Sequence, residues 1–410
     1  MSEVIPSSLA VNLKSFQKTS QNFVRVNSDR TAYPSASMVS FRLPQSGCVD
    51  LDTLHFTGEL SVSHGAVVTL TTPPTNFCMF RRVEVMIGGY ALGSACSDFG
   101  FSTYLLKAYT NNKMRQDYLQ GMGSEGSVVV SSINGTVSFP LAWSDGIGFL
   151  NCSQLIRYLP LSLIPEVIIN VYLHDRSRWT VEDNSAIAAS TFVLQNMRIQ
   201  YMNISSEGSL IENLWASRLS QAPIVIPFQD IKYYEGSSTS ATANTFTLQV
   251  SGTSLDYLVA TYRVADYDTV AANRLTCTAG NNVNTVTSQI FVNNQPLQSY
   301  QCTPIDALMV TSASLGGSGN QFFAPDAGGL ANTFAGFRDT FFALIQRLEF
   351  PTEDTTDPRG WLTGLNTMGT SVPVDLVLQG ANTTGRKPVI IVVGKGLLTI
   401  GAGKQISVTP

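Results

Sequence analysis

Apolar and polar residues alternate strictly over much of this chain. In the clearest run, residues 54–62, the side chains of Leu54, Phe56 and Val62 share one face, and polar side chains share the other. Side chains alternate across a β-strand, so this period predicts antiparallel strands with one buried face. Similar patterns predict further strands at 39–43, 66–71, 79–88, 127–138, 166–174, 190–203, 245–250, 257–264, 287–293, 340–350, 371–379, 387–393 and 396–408.

Three short segments carry helix signals instead. Asp98 can cap a helix at about 98–109, whose apolar residues fall on one stripe. A capping-box pattern predicts a connecting helix at about 209–219. Thr303 followed by Pro304 has the cap residue and the first residue of a third helix. Helices this short suit connections between strands, so the pattern predicts an all-β protein.

The chain also resembles itself at an offset of 205 residues. An apolar strand runs into Gly88 and Gly89 in the first half, and into Asn293 and Asn294 in the second. The same offset superposes Ile169 on Val374, Val171 on Leu376 and Leu173 on Leu378. Self-similarity of strand, turn, helix and late strand at one offset predicts two tandem β units, with these four turn residues in equivalent places.

Composition favours many short strands in about two domains. The chain has 410 residues, of which 44% are apolar and only 13% charged, about half the usual charged share. The net charge is −4 and no dense Lys/Arg cluster occurs, so we expect no sequence-specific nucleic-acid binding. Neither a signal-peptide pattern nor an apolar run long enough for a membrane span is present, so secretion through a signal peptide is not expected.

Residues that carry catalysis or bind metals are scarce. The three histidines, His55, His64 and His174, lack metal-binding spacing. The six cysteines form no CxxC pair and are predicted to be reduced and mostly buried. Residues 401–405 resemble a phosphate-binding loop but lack its first Gly, its Ser/Thr and a following helix, which favours a strand turn. We therefore predict no catalytic, cofactor-binding or metal-binding residues.

Three segments together resemble a known family. They are residues 80–89 with the helix that follows, residues 158–165 with the strand that follows, and the C-terminal strands at 372–378 and 388–400. In order and type they resemble a double jelly-roll major capsid protein, the lineage of adenovirus hexon, virophages, polinton-like viruses and large eukaryotic DNA viruses. The resemblance implies an all-β fold of two tandem eight-stranded antiparallel jelly rolls, with short helices in the connections.

The resemblance also implies a division of the chain into four parts. Residues 1–36, which show little periodicity, would be an extended N-terminal arm. Residues 37–208 would be the first jelly roll, residues 209–222 a helical linker and residues 223–410 the second jelly roll. Two long loops rich in small residues, at 236–244 and 311–333, would face outward.

The function implied by the resemblance is structural. Three copies would form a pseudo-hexameric capsomer in the icosahedral shell of a virion, around a genome that the lineage implies is double-stranded DNA. Partners would be two further copies in a homotrimer, neighbouring capsomers, and minor capsid or penton proteins. The N-terminal arm would tie to a neighbour or reach an internal membrane.

Other functions remain open at this point. A carbohydrate- or receptor-binding β-sandwich, such as a virion fibre or lectin-like module, would need clustered aromatic side chains, but Trp143, Trp179, Trp215 and Trp361 are spread widely. A cupin-like enzyme would need a His-rich metal set. A penton protein would usually have one jelly roll, which the repeat disfavours.

Overall fold

The computed structural model shows a protein built mainly of antiparallel sheets. It describes residues 19–64, 68–71, 76–110, 127–130, 135–144, 148–149, 158–176, 179, 190–206, 210–238, 243–265, 267, 277, 287–315, 334–340, 342–349, 362–367, 372–379 and 385–409. These residues form four larger sheets and one two-stranded sheet.

The first half of the chain contributes two larger sheets. Its elements are β1 (Thr19–Asn27), β2 (Ala32–Pro34), β3 (Met38–Arg42), β4 (Cys48–His64), β5 (Val68–Thr71), a 3-10 helix (Asn76–Met79), β6 (Phe80–Ile87), β7 (Tyr90–Leu92), α1 (Phe99–Thr110), β8 (Ser127–Val130), β9 (Gly135–Ser144), β10 (Tyr158–Pro160), β11 (Val167–Leu173) and β12 (Ser190–Ser206). The first large sheet has the order β1-β12-β4-β10, with β2 beside β12 and β9 beside β4. The first small sheet has the order β3-β11-β6-β7, and β5 pairs with β8 separately.

The second half repeats this arrangement after a connecting helix, α2 (Leu210–Gln221). Its elements are β13 (Ile224–Glu235), β14 (Ala243–Val250), β15 (Ser254–Val264), β16 (Thr287–Val292), β17 (Gln295–Pro296), α3 (Pro304–Ser314), α4 (Phe334–Thr340), β18 (Leu344–Arg347), β19 (Val372–Gln379), β20 (Arg386–Ile400), a 3-10 helix (Ala402–Lys404) and β21 (Ile406–Thr409). The second large sheet has the order β13-β20-β15-β18, with β21 beside β20, and the second small sheet has the order β14-β19-β16-β17.

The two halves match strand for strand. In chain order β1, β3, β4, β6, β7, β10, β11 and β12 take the sheet positions that β13 to β20 take in the second half. Each half is thus two facing four-stranded sheets, with two further strands on the first large sheet and one on the second, and the first strand lies beside the last. This is the jelly-roll arrangement, so the predicted fold class of two tandem eight-stranded rolls is confirmed.

The offset of 205 residues recurs in the element boundaries. Helix α1 begins at Phe99 and α3 at Pro304, and strand β11 begins at Val167 and β19 at Val372. The two hairpin turns between β6 and β7 and between β16 and β17 also keep this spacing. A single gapless register in the sequence therefore relates the middle parts of the two rolls.

The late strand departs from this register within its sheet. Val85 pairs with Ile169 in the first roll, but its equivalent Ile290 pairs with Leu376, which lies 207 residues after Ile169. A shift of two residues leaves every side chain on the same face. The predicted superposition of Ile169 on Val374 correctly matches two buried side chains. The pairing of the two strands within their sheets, however, differs from this superposition by two residues.

Aromatic side chains join the facing sheets in both rolls. The ring centroid of Phe56 on β4 lies 5.9 Å from those of Phe41 on β3 and Phe80 on β6. In the second roll, Tyr262 on β15 stacks on Phe342 at 6.0 Å, and its hydroxyl lies 3.0 Å from Ser288 Oγ on β16. Full burial of an apolar side chain contributes about 1.5–3 kcal/mol, so such contacts account for much of the stability of each sandwich.

The predicted arm needs correction where the structure describes it. Residues 19–27 form β1, and every residue of β1 pairs with β12. Residues 32–34 form β2, which also pairs with β12. Val24 and Val26 pack against the core while Phe23 is exposed. Exposed Phe23 interrupts the apolar alternation that marks the other strands, which explains why the sequence pattern missed β1. Residues 1–18 lie outside the described residues.

Several further boundaries differ from the sequence predictions. The strands predicted at 387–393 and 396–408 are one long strand, β20, followed by the short β21. The loop predicted at 311–333 begins as helix, because α3 runs to Ser314, and residues 316–333 lie outside the described residues. The strand predicted at 340–350 is shorter, and the unpredicted helix α4 precedes it. In the loop predicted at 236–244, residues 239–242 lie outside the described residues, and β14 begins at Ala243.

The local helix and turn signals were read correctly. The Asp98 carboxylate accepts a hydrogen bond from the Phe101 N–H at 3.2 Å, which caps α1. Thr303 and Asp306 form a reciprocal capping box at the start of α3. Residues 401–405 form the turn between β20 and β21, which agrees with the predicted strand turn.

Candidate functional site: the junction between the two rolls

Helix α1 of the first roll packs on the outer face of the second large sheet. Tyr262 points toward the second small sheet, so its neighbour Arg263 points the other way. There the Arg263 guanidinium lies 4.1 Å from the ring centroid of Phe101 on α1. The Phe101 ring also meets Tyr233 on β13 edge to face, with centroids 6.2 Å apart. These contacts define the junction, the surface where the two rolls meet.

A buried ion pair crosses this junction. Arg263 Nη1 donates to Asp98 Oδ2 at 2.7 Å, and the two residues are 165 positions apart in sequence. The Arg263 side chain is 0% exposed and that of Asp98 is 9% exposed. The other Asp98 oxygen caps α1 and lies 3.3 Å from His174 Nε2. One carboxylate thus fixes the start of a helix in the first roll and a strand residue in the second.

Aromatic groups enclose the Arg263 side chain. Its guanidinium lies 3.5 Å from the ring centroid of Tyr267, and Nη1 donates to the Tyr233 hydroxyl at 3.2 Å. Burial alone would lower the pKa of Arg263, but Asp98 and the two tyrosines outweigh it and raise that pKa above its ordinary value. For Tyr233, by contrast, burial raises the pKa, and it does so well above the ordinary value. Arg263 therefore stays charged and Tyr233 neutral at neutral pH.

The hydrogen-bond network continues outward from Tyr233. Its hydroxyl donates to Glu235 Oε2 at 2.7 Å, and the Tyr267 hydroxyl donates to the same carboxylate at 2.9 Å. Lys387 Nζ lies 3.2 Å from the other oxygen of Glu235. Buried polar groups in such a network have partners on both sides, which favours one fixed arrangement of the junction.

Contacts from the first roll cover the edge strand of the second large sheet. Tyr233 N–H on the edge strand β13 donates to Ala95 O, in the loop before α1, at 3.1 Å. Further along, Gly148 N–H donates to the Gln229 side chain at 3.1 Å, and the rings of Phe149 and Phe228 lie 5.9 Å apart. The first roll thus covers an edge whose unpaired backbone groups would otherwise be available to another chain.

The four predicted turn residues lie in two equivalent hairpins. Gly88 and Gly89 join β6 to β7, and Asn293 and Asn294 join β16 to β17, all four with positive φ of 51–89°. Positive φ at both central residues is the geometry of a tight hairpin turn, which Gly and Asn tolerate best. A Cβ on Gly88 would lie 3.1 Å from the side chain of Ile406 on β21, so the first turn also contacts the second roll.

Side chains suited to chemistry are not grouped in the described part of the chain. No set of three or more His, Cys, Asp or Glu side chains that could hold a metal occurs among the described residues. Cys48, Cys78, Cys96, Cys277 and Cys302 are free and buried, as predicted, and Cys152 lies outside the described residues. Burial raises the pKa of the Cys277 thiol to about 11, so that thiol is not a ready nucleophile.

None of the helices that the structure describes is both long and apolar enough to cross a bilayer.

The sequence prediction found Asp98 as a cap but missed Arg263. Capping is a local pattern, whereas the ion pair joins residues from different rolls. One feature could have indicated that Arg263 has a buried partner. Arg263 directly follows a run of buried residues on β15, Leu258 to Tyr262. A charged residue inside such a strand needs a buried partner, which here comes from the other roll.

Comparison with solved structures shows the same fold over nearly the whole chain. PBCV-1 VP54, fitted into a reconstruction of the virophage Sputnik, matches with a TM-score of 0.61 and 14% identity, covering 96% of this chain and 97% of that chain. The faustovirus major capsid protein matches with a TM-score of 0.61 and 9% identity over 93% and 90% of the two chains. The mavirus major capsid protein matches with a TM-score of 0.55 and 8% identity over 94% and 89%.

Sequence comparison adds no family. No protein-family model matches the chain, and no curated protein matches it either. The expected resemblance to double jelly-roll major capsid proteins is therefore confirmed at the level of the fold, which this chain shares with those proteins over both rolls.

Proposed function

We propose that this chain is the major capsid protein of an icosahedral DNA virus, and that its role is structural rather than catalytic. The observation that carries the proposal is the repeated roll, in which two equivalent eight-stranded units are joined by a buried, ion-paired junction. The faustovirus and mavirus major capsid proteins share this fold over more than nine tenths of the chain.

The architecture suits a shell subunit physically. Two similar rolls in one chain present two similar lobes, and three chains around a threefold axis present six. Six lobes give a nearly hexagonal outline that can tile a closed surface, and closed rings are the usual form of soluble assemblies. The low charged fraction of 13% suits extensive subunit contact, because the centres of interfaces are depleted in charge. The protein would reside in the virion, beside neighbouring capsomers and minor or penton proteins.

The mass and shape of the purified chain in solution test this proposal. We expect light scattering to give about three times the chain mass of 44.3 kDa, and negative-stain images of the same peak to show a hexagonal outline. A monomer or a pentamer would contradict the proposed capsomer.

Residues 1–18 are proposed to tie the capsomer to a neighbour or to an internal membrane. Because β1 begins at Thr19 and pairs along its own whole length with residues 198–206 of β12, a truncation to residue 30 would remove a strand that packs against the core. Deletion of residues 1–18 is the cleaner test. Trimers should persist while shell assembly or binding to anionic vesicles falls, and normal shells from the truncated chain would refute this role.

We also propose that the chain divides near the predicted boundaries, apart from β1 and β2, which belong with the first roll. The first roll then spans residues 19–208, the linker residues 209–222 and the second roll residues 223–410. Limited proteolysis should cut within 207–223 before it cuts either large sheet.

The alternative of a carbohydrate- or receptor-binding module has less support. Such a site needs exposed, clustered aromatic rings. Trp179 is buried and Trp215 is half-buried, and the side chains of Trp143 and Trp361 lie outside those described. Binding of a glycan panel by the monomeric chain would favour this alternative over the capsid role.

A further inference from the structure

Helix α3 of the second roll carries an apolar stripe that faces solvent. Ile305 is 57% exposed and Met309 is 68% exposed, and Ala313, one turn further along the same face, is exposed too. Residues spaced by four lie on one side of a helix. Solvent-facing positions of a surface helix are ordinarily polar, so a contiguous apolar stripe of this kind marks a contact surface.

The equivalent helix α1 is covered on two sides. Gly100, 205 positions before Ile305, is buried against the backbone of Phe77 and Cys78 in its own roll, and Tyr104, 205 positions before Met309, is half-buried. Helix α1 lies against the second large sheet through Phe101 and the Asp98–Arg263 pair. Within one chain, then, the helix of one roll meets the large sheet of the next roll.

The edge of the first large sheet has no such cover among the residues that the structure describes. Phe23 on its edge strand β1 is 71% exposed, and its ladder partner Met202 is only partly buried. In the second large sheet the matching edge strand β13 has Tyr233 buried under Phe101. The described part of the chain therefore exposes both an apolar helix stripe and an apolar side chain at a sheet edge, which resemble the two halves of the contact that it makes internally.

The loops before the two helices support the same match. Ala95 O accepts a hydrogen bond from the free edge of β13, and the residue 205 positions later is Tyr300, which is 51% exposed. Strand β1 is likewise the edge of its sheet. A loop around Tyr300 would reach an edge strand of the same kind on another molecule.

We propose that the stripe Ile305, Met309 and Ala313 docks on the outer face of the first large sheet of a second copy, around Phe23 and Met202. This inference rests on the proposed capsid function and specifies which surfaces form its trimer. The contact is head-to-tail, because it joins different surfaces of the two copies. Such contacts close into a ring or extend into a filament, and the trimer is the closed form.

Two charge-introducing variants and one control test this interface by light scattering. Ile305→Glu with Met309→Glu alters the helix half, and Phe23→Glu alters the sheet half. Met38→Glu is the control, because Met38 is also exposed, at 44%, and its equivalent Ala243 stays exposed beside the first roll. We expect the first two proteins to run as monomers of 44.3 kDa and the control to remain trimeric. Unchanged circular dichroism and thermal unfolding of the monomers would exclude misfolding.

Photo-crosslinking gives the direct readout. A benzophenone side chain at position 309, in a mixture of isotope-labelled and unlabelled chains, should crosslink to residues 19–27 or 198–206 of a different copy. Crosslinks between two α3 helices, or to residues 1–18, would overturn the proposal and identify the true occupant. A trimeric wild type whose helix variant stays trimeric would refute this interface alone, whereas a monomeric wild type would refute the proposed function.

Discussion

The outer face of the second large sheet is covered by α1 within the chain, whereas the edge strand β1 of the first large sheet presents Phe23 to solvent. Both sheets have the same strand order. The difference lies in the helices that meet them, since α1 carries Phe101 and the Asp98 cap, and α3 carries an exposed Ile305 and Met309. The two rolls of one chain thus differ most in these helices. Helix α1 makes a buried ionic contact with the other roll, whereas α3 presents an exposed apolar surface.

The largest expected effect comes from the buried ion pair. Arg263→Ala would leave Asp98 buried without its guanidinium partner, and breaking one side of a buried pair costs about 3–5 kcal/mol. We expect a loss of that size in the free energy of unfolding by urea titration. Arg42→Ala is the matched control, because Arg42 pairs with Glu166 on an exposed surface, where the loss should be about 0–1 kcal/mol. Equal losses in the two variants would mean that the junction does not depend on this pair.

A smaller effect should separate the two helices at equivalent positions. A Cβ on Gly100 would lie 2.5 Å from Phe77 O and 2.7 Å from Cys78 Cα, which are backbone atoms that cannot swing aside. Gly100→Ala should therefore lower the free energy of unfolding by about 1–3 kcal/mol. Ile305→Ala, at the same place on α3, should change it by no more than about 0.5 kcal/mol in a monomeric background. A neutral Gly100→Ala would show that α1 is packed no more tightly than α3.

The hairpin turns offer a third comparison of the two rolls. Asn293 has a φ of 51°, where Gly88 has 57° in the first roll. Asn293→Val places a β-branched residue in that conformation and should cost about 1–2 kcal/mol in urea titrations. Asn293→Gly, which copies the first roll, should stay within about 0.5 kcal/mol of wild type. A large loss for the Gly variant would mean that the Asn side chain itself is needed.

The smallest effect is a change in the pH dependence of the second roll. Burial alone would raise the pKa of Glu349, but Lys395 at 3.1 Å, the Tyr257 hydroxyl and Arg347 outweigh it and hold that pKa below its ordinary value of 4.5. The ionised form therefore stabilises the folded state above the ordinary pKa, and this contribution is lost as the pH falls through the lowered pKa. Burial raises the pKa of neighbouring Asp256, which acts in the opposite sense.

Glu349→Gln isolates the first of these two contributions. The variant should be less stable than wild type at pH 7, and the difference should shrink below pH 4.5 in thermal unfolding experiments. A difference that stays constant over that range would show that the charge of Glu349 does not stabilise the fold.

Local patterns in the sequence predicted most strands, three helices and the caps at Asp98 and Thr303, because alternation and capping depend on neighbours in the chain. Strand β20 was split in two because Gly394 and Gly396 interrupt its apolar run. In the structure each glycine admits a close neighbour, the Ser254 carbonyl beside Gly394 and the Phe228 ring beside Gly396. Glycine at these places reflects close packing rather than a turn.

The contact between the rolls was not predictable in the same way. The partner of Arg263 lies 165 positions away, and no local period indicates it. Strand β1 was missed because Phe23 breaks the alternation of its apolar residues. The proposed docking surface explains that exception, since a residue that contacts another copy has no reason to follow the pattern of a solvent-facing strand.

We expect the contact made within one chain to be repeated between chains, and a cryo-EM reconstruction of the purified assembly would show this contact. The reconstruction should contain six rolls in a ring of three chains, with α3 of each chain lying on the first large sheet of the next. A trimer in which α3 faces solvent, or an assembly with another number of chains, would contradict this expectation.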